Sequence, residues 1–399
     1  MSGESDKNGR RLLKFNMENK KQILEGSQAI AAVIRNIKPA VVSAYPITPQ
    51  THIVERLAKL KANGETDYEY VRAESEFAAA SIVLGASATG VRTYSATSSQ
   101  GLLLMTEVIF NIAGMRLPVV MTCANRAISA PINIWNDHSD VMVIRDAGWI
   151  HLFAADNQEA VDLHILAYKI AEQLHLPVMV NVDGFILTHA FEPVIIPSAE
   201  TIKKFLPDYI PETGHFLNTD SPITLGAFAT PANYFEAREN LHDNLTASLT
   251  LIKKEYKNLI NILGRKNKDN GLAEYYGPQK PETILVALGS VIGTIREALK
   301  DDKKTGILKI KTYRPFPGEE INKILLTAKN IAVVEKAISL GQAGPLFSDI
   351  KTSLPNNKLN IKNYIVGLGG RDVTQKMIKE ITVDAKKIGG KKIKFIGKI

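Results

Sequence analysis

Cysteine is almost absent from this sequence, with Cys123 the single example. A lone thiol closes no disulfide within the chain, builds no four-cysteine zinc site and holds no cysteine-ligated iron–sulfur cluster. Cys123 ends the apolar run Val119-Val120-Met121-Thr122, where a buried, inert thiol is expected rather than a nucleophile. Long hydrophobic runs are missing too. Nothing approaches the roughly 20 consecutive apolar residues of a membrane span, and Met1 to Asn19 is too polar for a secretory signal. The expectation is a cytoplasmic protein without membrane contact. Motifs for nucleic acid are lacking, although the net charge is +8. The lysines are dispersed, and their densest group, Lys386, Lys387, Lys391, Lys392, Lys394 and Lys398, reads as a solvated basic face or a dock for an acidic partner.

What is present is globular. At 399 residues and 45% apolar content the chain can fill two or three cores. Residues 1–19 read as a polar, mobile lead. Helical spacing over residues 22–35 precedes an apolar strand, Val41-Val42-Ser43-Ala44-Tyr45. Helices are expected near 51–60, 75–88, 101–113 and 158–174, and strands near 68–73, 93–96, 119–124, 150–155 and 177–182. Such alternation predicts a parallel sheet covered on both faces over residues 20–231. Residues 232–280 read as a charged helical connector. A smaller α/β domain is expected over 281–399, with strands near 283–288, 306–310, 331–334 and 364–366 and helices near 291–299, 319–328, 344–354 and 374–381.

Four segments place polar groups just after predicted strands, where open parallel sheets bind ligands. They are Tyr45-Pro46-Ile47-Thr48-Pro49, Glu74-Ser75-Glu76, Ser99-Gln100-Gly101-Leu102 and Ala124-Asn125-Arg126. Glu76 is the most informative residue, because it heads the small-residue helix Phe77-Ala78-Ala79-Ala80-Ser81 that reaches Gly85 nine positions on. Its plainer reading is a first-turn acid favoured by the helix dipole. Thr97, Ser98 and Ser99 read as caps of the helix that follows. Asp137, His138 and Asp140 look like a ligand cluster, but three such residues in one loop point more to a subunit contact than to a metal, and no metal site is assigned. Gly367-Leu368-Gly369-Gly370 fits neither dinucleotide nor Walker patterns, and a structural turn is expected there.

Together with Asn133-Ile134-Trp135-Asn136-Asp137-His138-Ser139-Asp140, these motifs stand in the order found in the alpha subunits of the 2-oxoacid:ferredoxin oxidoreductases, which the chain resembles from about Lys20 to its C-terminus. Within that family it is most similar to the pyruvate:ferredoxin oxidoreductases. The resemblance implies a pyrimidine-binding-type domain for thiamine diphosphate followed by a transketolase C-terminal-like domain. It further implies oxidative decarboxylation of pyruvate with coenzyme A to acetyl-CoA and CO₂, reducing ferredoxin, and reversible. The same chemistry on 2-oxoisovalerate, 2-oxoglutarate or oxalate, and a noncatalytic assembly role, stand as alternatives.

The resemblance assigns Glu76 to N1' of the cofactor's aminopyrimidine, Thr48 and Arg126 to the oxoacid, and Tyr45, Pro46 and Ile47 to the wall beside the pyrimidine. A carboxyl in a dry pocket suits the first task, and a planar guanidinium the second. Glu74 is the rival acid, placed to cap the helix or to pair with Arg72. The usual Gly-Asp-Gly and Asn-Asn signature for Mg²⁺ and diphosphate is missing: Val182-Asp183-Gly184 lacks the first glycine, and Asn356-Asn357 lies in the other domain. Diphosphate, Mg²⁺ and [4Fe-4S] clusters are therefore expected on partner chains: a beta subunit, a gamma subunit and a ferredoxin-like delta subunit.

Overall fold

The computed structural model describes residues 20–265, 269–355 and 359–398. In chain order, β1 (Lys21–Glu25), α1 (Gly26–Ile37), β2 (Val41–Ala44), α2 (Thr51–Ala62), β3 (Glu69–Arg72), α3 (Glu76–Ala88) and β4 (Thr93–Thr97) open the first unit. They are followed by α4 (Ser99–Leu104), α5 (Thr106–Gly114), β5 (Val120–Asn125), α6 (Ser139–Val143), β6 (Ile150–Phe153), α7 (Asn157–Leu174) and β7 (Val178–Asp183). After β8 (Phe191–Ile195), α8 (Ala199–Phe205) and the long α9 (Pro231–Ile262), the chain continues through β9 (Ala273–Tyr276), β10 (Thr283–Ala287), α10 (Val291–Ala298), β11 (Thr305–Ile310) and β12 (Thr312–Arg314). The last elements are α11 (Gly318–Leu325), β13 (Asn330–Glu335), α12 (Pro345–Ser353), β14 (Asn360–Ile365), α13 (Gln375–Ala385) and β15 (Ile393–Phe395).

Two large sheets organise these elements, beside a two-stranded sheet of β1 and β8. The larger runs β12-β6-β7-β5-β4-β2-β3, parallel except for β12, and the smaller runs β15-β14-β13-β10-β11-β9, parallel except for β9. Strands buried on both faces read as continuous apolar runs, and β5, β7 and β10 are buried at every position. Helices close both faces of each sheet. One core joins the two units: Val119, Met121 and Met179 of the first pack in a cluster with Val286, Leu308 and Ile310 of the second.

The second unit reaches into the first. β12 lies beyond residue 281, yet it pairs antiparallel with β6 and edges the larger sheet. β9, which precedes residue 281, edges the smaller one. Lys311, between β11 and β12, is fully buried and meets Glu159 at 2.7 Å, Asp269 at 2.8 Å and Tyr256 Oη at 2.7 Å, so α7, α9 and the second unit share one polar joint.

Local physics departs from sequence expectation at three places. Residues 21–25 form β1 rather than the first turns of a helix, because they pair antiparallel with β8 from Lys21 against Ile195 to Glu25 against Phe191. The helix starts only at Gly26, where a Cβ would collide with the Leu187 carbonyl. The single helix expected over 101–113 is two, since Thr106 Oγ1 donates back to Leu103 O at 2.7 Å and competes with the backbone ladder. The serines expected to cap that helix do other work: Ser98 Oγ donates to Ala124 O and Ser99 Oγ to Ala127 O, tying β4 to β5.

Candidate functional site

Glu76 opens α3 one residue after its cap. Ser75 Oγ accepts from Ala78 N at 3.1 Å, which fixes the first turn and directs Glu76 inward, where it is 8% exposed. Its carboxyl makes no hydrogen bond to any described residue, and it lies against Gly101 and Thr97, the latter with a buried hydroxyl that is also unpartnered. A buried acid left without a donor is costly unless something else supplies one. Glu74 by contrast is exposed and makes no ion pair with Arg72. Gly85, on the same helix, is exposed, and a Cβ there would meet nothing within 4 Å outside its own helix backbone.

Arg126 and Thr48 are brought together at the carboxyl ends of β5 and β2. Arg126 Nη1 donates to Thr48 O at 2.9 Å and Nε to Asn133 O at 3.1 Å. Burial draws the guanidinium below its ordinary pKa, while Asp140 pulls the other way. The Thr48 side chain itself faces outward, as do Tyr45 and Pro46, and Ile47 is half-buried.

Asp140 is the residue whose role the sequence hid. Fully buried, it accepts from the backbone N–H of Ser99 at 3.0 Å and of Arg126 at 2.9 Å and from Asn125 Nδ2 at 3.1 Å, stapling the ends of β4 and β5. Burial raises its pKa, against the pull of those same donors. Asp137, His138 and Asp140 therefore do not converge on one point. Asp137 accepts from Gly369 N at 3.1 Å, and His138 Nε2 lies 2.6 Å from Asp183 Oδ1.

Gly367–Gly370 is an interdomain turn. Gly370 N donates to Asn136 O at 2.7 Å, Asn133 Nδ2 donates to Gly369 O at 3.1 Å, and a Cβ on Gly370 would strike Trp135. Asp183 of the incomplete Val182-Asp183-Gly184 motif is consumed by Lys336, His138 and Ser290. Asn356 and Asn357 lie outside the described residues. Cys123 is fully buried, and burial, with Asp140 beside it, pushes its thiol well up. No helix among the described residues is long and apolar enough to cross a membrane.

The architecture is that of a 2-oxoacid:ferredoxin oxidoreductase. The 2-oxoglutarate:ferredoxin oxidoreductase from Magnetococcus marinus, solved with 2-oxoglutarate, coenzyme A and succinyl-CoA bound, shares the fold at TM-score 0.70 and 20% identity, over 92% of this chain and 65% of that one. Sequence narrows the assignment. Residues 32–257 match the family model described as pyruvate flavodoxin/ferredoxin oxidoreductase, thiamine diP-bdg, and residues 281–378 the one described as pyruvate:ferredoxin oxidoreductase core domain II. Pyruvate synthase subunit PorA of Methanocaldococcus jannaschii is 48% identical over 90% of this chain and 93% of its own length. Ketoisovalerate oxidoreductase subunit VorA of Pyrococcus abyssi is 40% identical, over 92% and 94%. The chain belongs to the pyruvate:ferredoxin oxidoreductase family.

Proposed function

We propose that the chain is the alpha subunit of a heteromeric pyruvate synthase, which converts pyruvate and coenzyme A to acetyl-CoA and CO₂ and passes the electrons to ferredoxin, in either direction. Similarity to pyruvate synthase subunits over some nine-tenths of the chain supports the reaction, and the observation that carries the site is Glu76, buried yet unpartnered at the strand ends.

Gly101 packs directly against the Glu76 carboxyl and the Thr97 hydroxyl, with no room for a side chain between them, and so fixes the position of the acid. Thiamine diphosphate, when bound, supplies the electron sink for cleavage of the oxoacid. Glu76 would then hold a proton at N1' of its aminopyrimidine, a hydrogen bond that exclusion of water by the bound ring would strengthen. Tyr45, Pro46 and Ile47 wall the ring. Arg126, oriented by the Thr48 and Asn133 carbonyls, turns its remaining donors to the substrate carboxylate, and the Thr48 hydroxyl meets a substrate oxygen.

The rest of the machinery falls to partners. With Cys123 alone and Asp183 already committed, [4Fe-4S] clusters, Mg²⁺ and the diphosphate belong on a beta subunit and on gamma and ferredoxin-like delta subunits. Exposed apolar side chains on neighbouring elements, Val71, Phe77, Leu104, Phe110 and Trp135, support a subunit interface over this face.

The test is Glu76→Gln in the reconstituted complex, with pyruvate-dependent dye reduction as readout. A fall of about a hundredfold or more is expected, and retained activity overturns the assignment of Glu76. Because a ketoisovalerate subunit is 40% identical, side-by-side rates with pyruvate and 2-oxoisovalerate decide the substrate. Faster turnover of 2-oxoisovalerate overturns pyruvate.

A further inference from the structure

Glu25, His52 and His189 are far apart in sequence, yet each offers a ligand atom and these atoms all lie within 4.8 Å of one another. Glu25 is the buried last residue of β1, His52 the second residue of α2, and His189 sits in the β7–β8 connection. We propose that these three side chains bind a divalent transition-metal ion of the Zn²⁺ class.

The segments carrying Glu25 and His189 are locked together before any ion arrives. Ser27 donates to Thr188 O through both its backbone N, at 2.9 Å, and its Oγ, at 2.8 Å, and Gly26 N donates to Ala190 O at 3.1 Å. The residues beside Glu25 are thus clamped to those on either side of His189. Thr188 Oγ1 engages His189 Nδ1 at 2.8 Å, which leaves Nε2 for the cluster and fixes the ring as outer partners of metal-bound imidazoles do.

An ordinary ion pair explains only part of the arrangement. His52 Nδ1 lies 2.6 Å from Glu25 Oε1, a hydrogen bond that accounts for those two residues. It gives no reason for a second imidazole, that of His189, to be held with its ring centroid 4.5 Å from that of His52. Two imidazoles sharing one carboxylate form the nitrogen and oxygen set that suits Zn²⁺, with water to complete a tetrahedron. The His52 side chain is 47% exposed, which gives the ion a way in.

A second group, His175, Glu212 and His215, serves as an internal control. Its ligand atoms also lie within 4.8 Å of one another, but its two rings stack face to face at 4.0 Å and 12°, and two of its three members are exposed.

The experiment uses the full chain, freed of metal with a chelator. Zn²⁺ is titrated by calorimetry, and Co²⁺ by its visible absorption, which distinguishes tetrahedral from octahedral coordination. A single saturable site of tetrahedral Co²⁺ type is expected, weakened about tenfold or more in each of His52→Gln, His189→Ala and Glu25→Gln and unchanged in His215→Ala. His52→Gln, lying partly at the surface, keeps the test valid if a buried substitution disturbs folding, as circular dichroism will reveal. Absence of saturable binding, or a loss that follows His215 and spares His52 and His189, overturns the proposal. The readout is binding by the chain alone, so it stands or falls independently of the Glu76 assignment.

Discussion

Gly101 presses on Glu76 so closely that a Cβ there would come to 2.8 Å from both Cγ and Oε1 of the acid, and to 2.6 Å from Thr97 Oγ1. Neither Glu76 nor Thr97 can retreat freely from the packed strand ends. Gly101→Ala therefore displaces the carboxyl. Overpacking of this kind costs about 1–3 kcal/mol of stability, and a shift of the acid on the order of 1 Å lowers turnover by about a hundredfold. Pyruvate-dependent dye reduction by the assembled complex, read beside thermal melting of the chain, checks both. Full activity in a complex that carries the alanine would show that Glu76 does not depend on this close packing.

Gly85 makes the opposite forecast. Nothing lies within 4 Å of the place its Cβ would take, so Gly85→Ala should stabilise the isolated chain by about 1 kcal/mol through helix propensity alone. Loss of subunit association in the same variant would mark Gly85 as a close approach to a partner. Unchanged assembly would assign the glycine no interface role.

Arg126 already spends Nε and Nη1 on the Asn133 and Thr48 carbonyls. Lysine at this position can satisfy neither carbonyl and the substrate together, because its single ammonium lacks the planar fork. Loss of one charge-assisted bond of about 2 kcal/mol corresponds to a rise of about thirtyfold in the KM for pyruvate. Steady-state kinetics of Arg126→Lys provides the check, and an unaltered KM would remove Arg126 from substrate binding.

Between the two units, Lys336 Nζ lies 2.8 Å from Asp183 Oδ2 and 2.9 Å from Asn136 Oδ1, all of it buried. Burial pushes the Asp183 carboxyl up, but Lys336 and His138 outweigh it and hold the group well below the usual carboxylate range. Lys336→Met strands that charge and should cost about 3–5 kcal/mol in urea denaturation. Lys336→Met combined with Asp183→Asn removes both charges and should recover a large part of the loss. Simple additivity of the two substitutions would mean that the pair carries no coupling.

Sequence spacing predicted the parallel alternation well, because strands buried on both faces must be apolar throughout, as Val178–Asp183 nearly is. Glu76 stood out for a related reason, because an acid leading a helix of alanines has few structural uses; the structure adds that the residue is buried, and its role with the cofactor is a proposal. The pairings of β1 with β8 and of β12 with β6 were not legible, since each joins short segments distant in the chain whose edge contacts leave little periodic mark. Asp140 was visible only as one acid among several in a loop. Its work as a staple depends on where the ends of β4 and β5 fall in space, which no local pattern records. The Glu25, His52 and His189 group is hidden for the same reason.

His151 sets the acid response of the fold. It lies in β6 with both ring nitrogens buried and without a hydrogen-bond partner, and burial, aided by Arg314, pulls its pKa from 6.5 down to about 3. The folded chain therefore holds His151 neutral, whereas the unfolded chain protonates it below about 6.5. Its neutral form contributes stability that is fully present above that value and drains away as pH falls toward about 3. At pH 5 the loss amounts to about 2 kcal/mol. His151→Leu removes this proton linkage without leaving a polar atom unpaired. Chemical denaturation at pH 7.5 and at pH 5 should find the native chain losing about 2 kcal/mol more than the variant over that interval. Some sensitivity persists in the variant, because His164, bonded to Thr122 Oγ1 at 2.6 Å and Ala160 O at 2.7 Å, is drawn down by burial to about 4 in the same sense. Equal losses in the two proteins would mean that His151 gains a proton without unfolding, and that water reaches its ring in the native state.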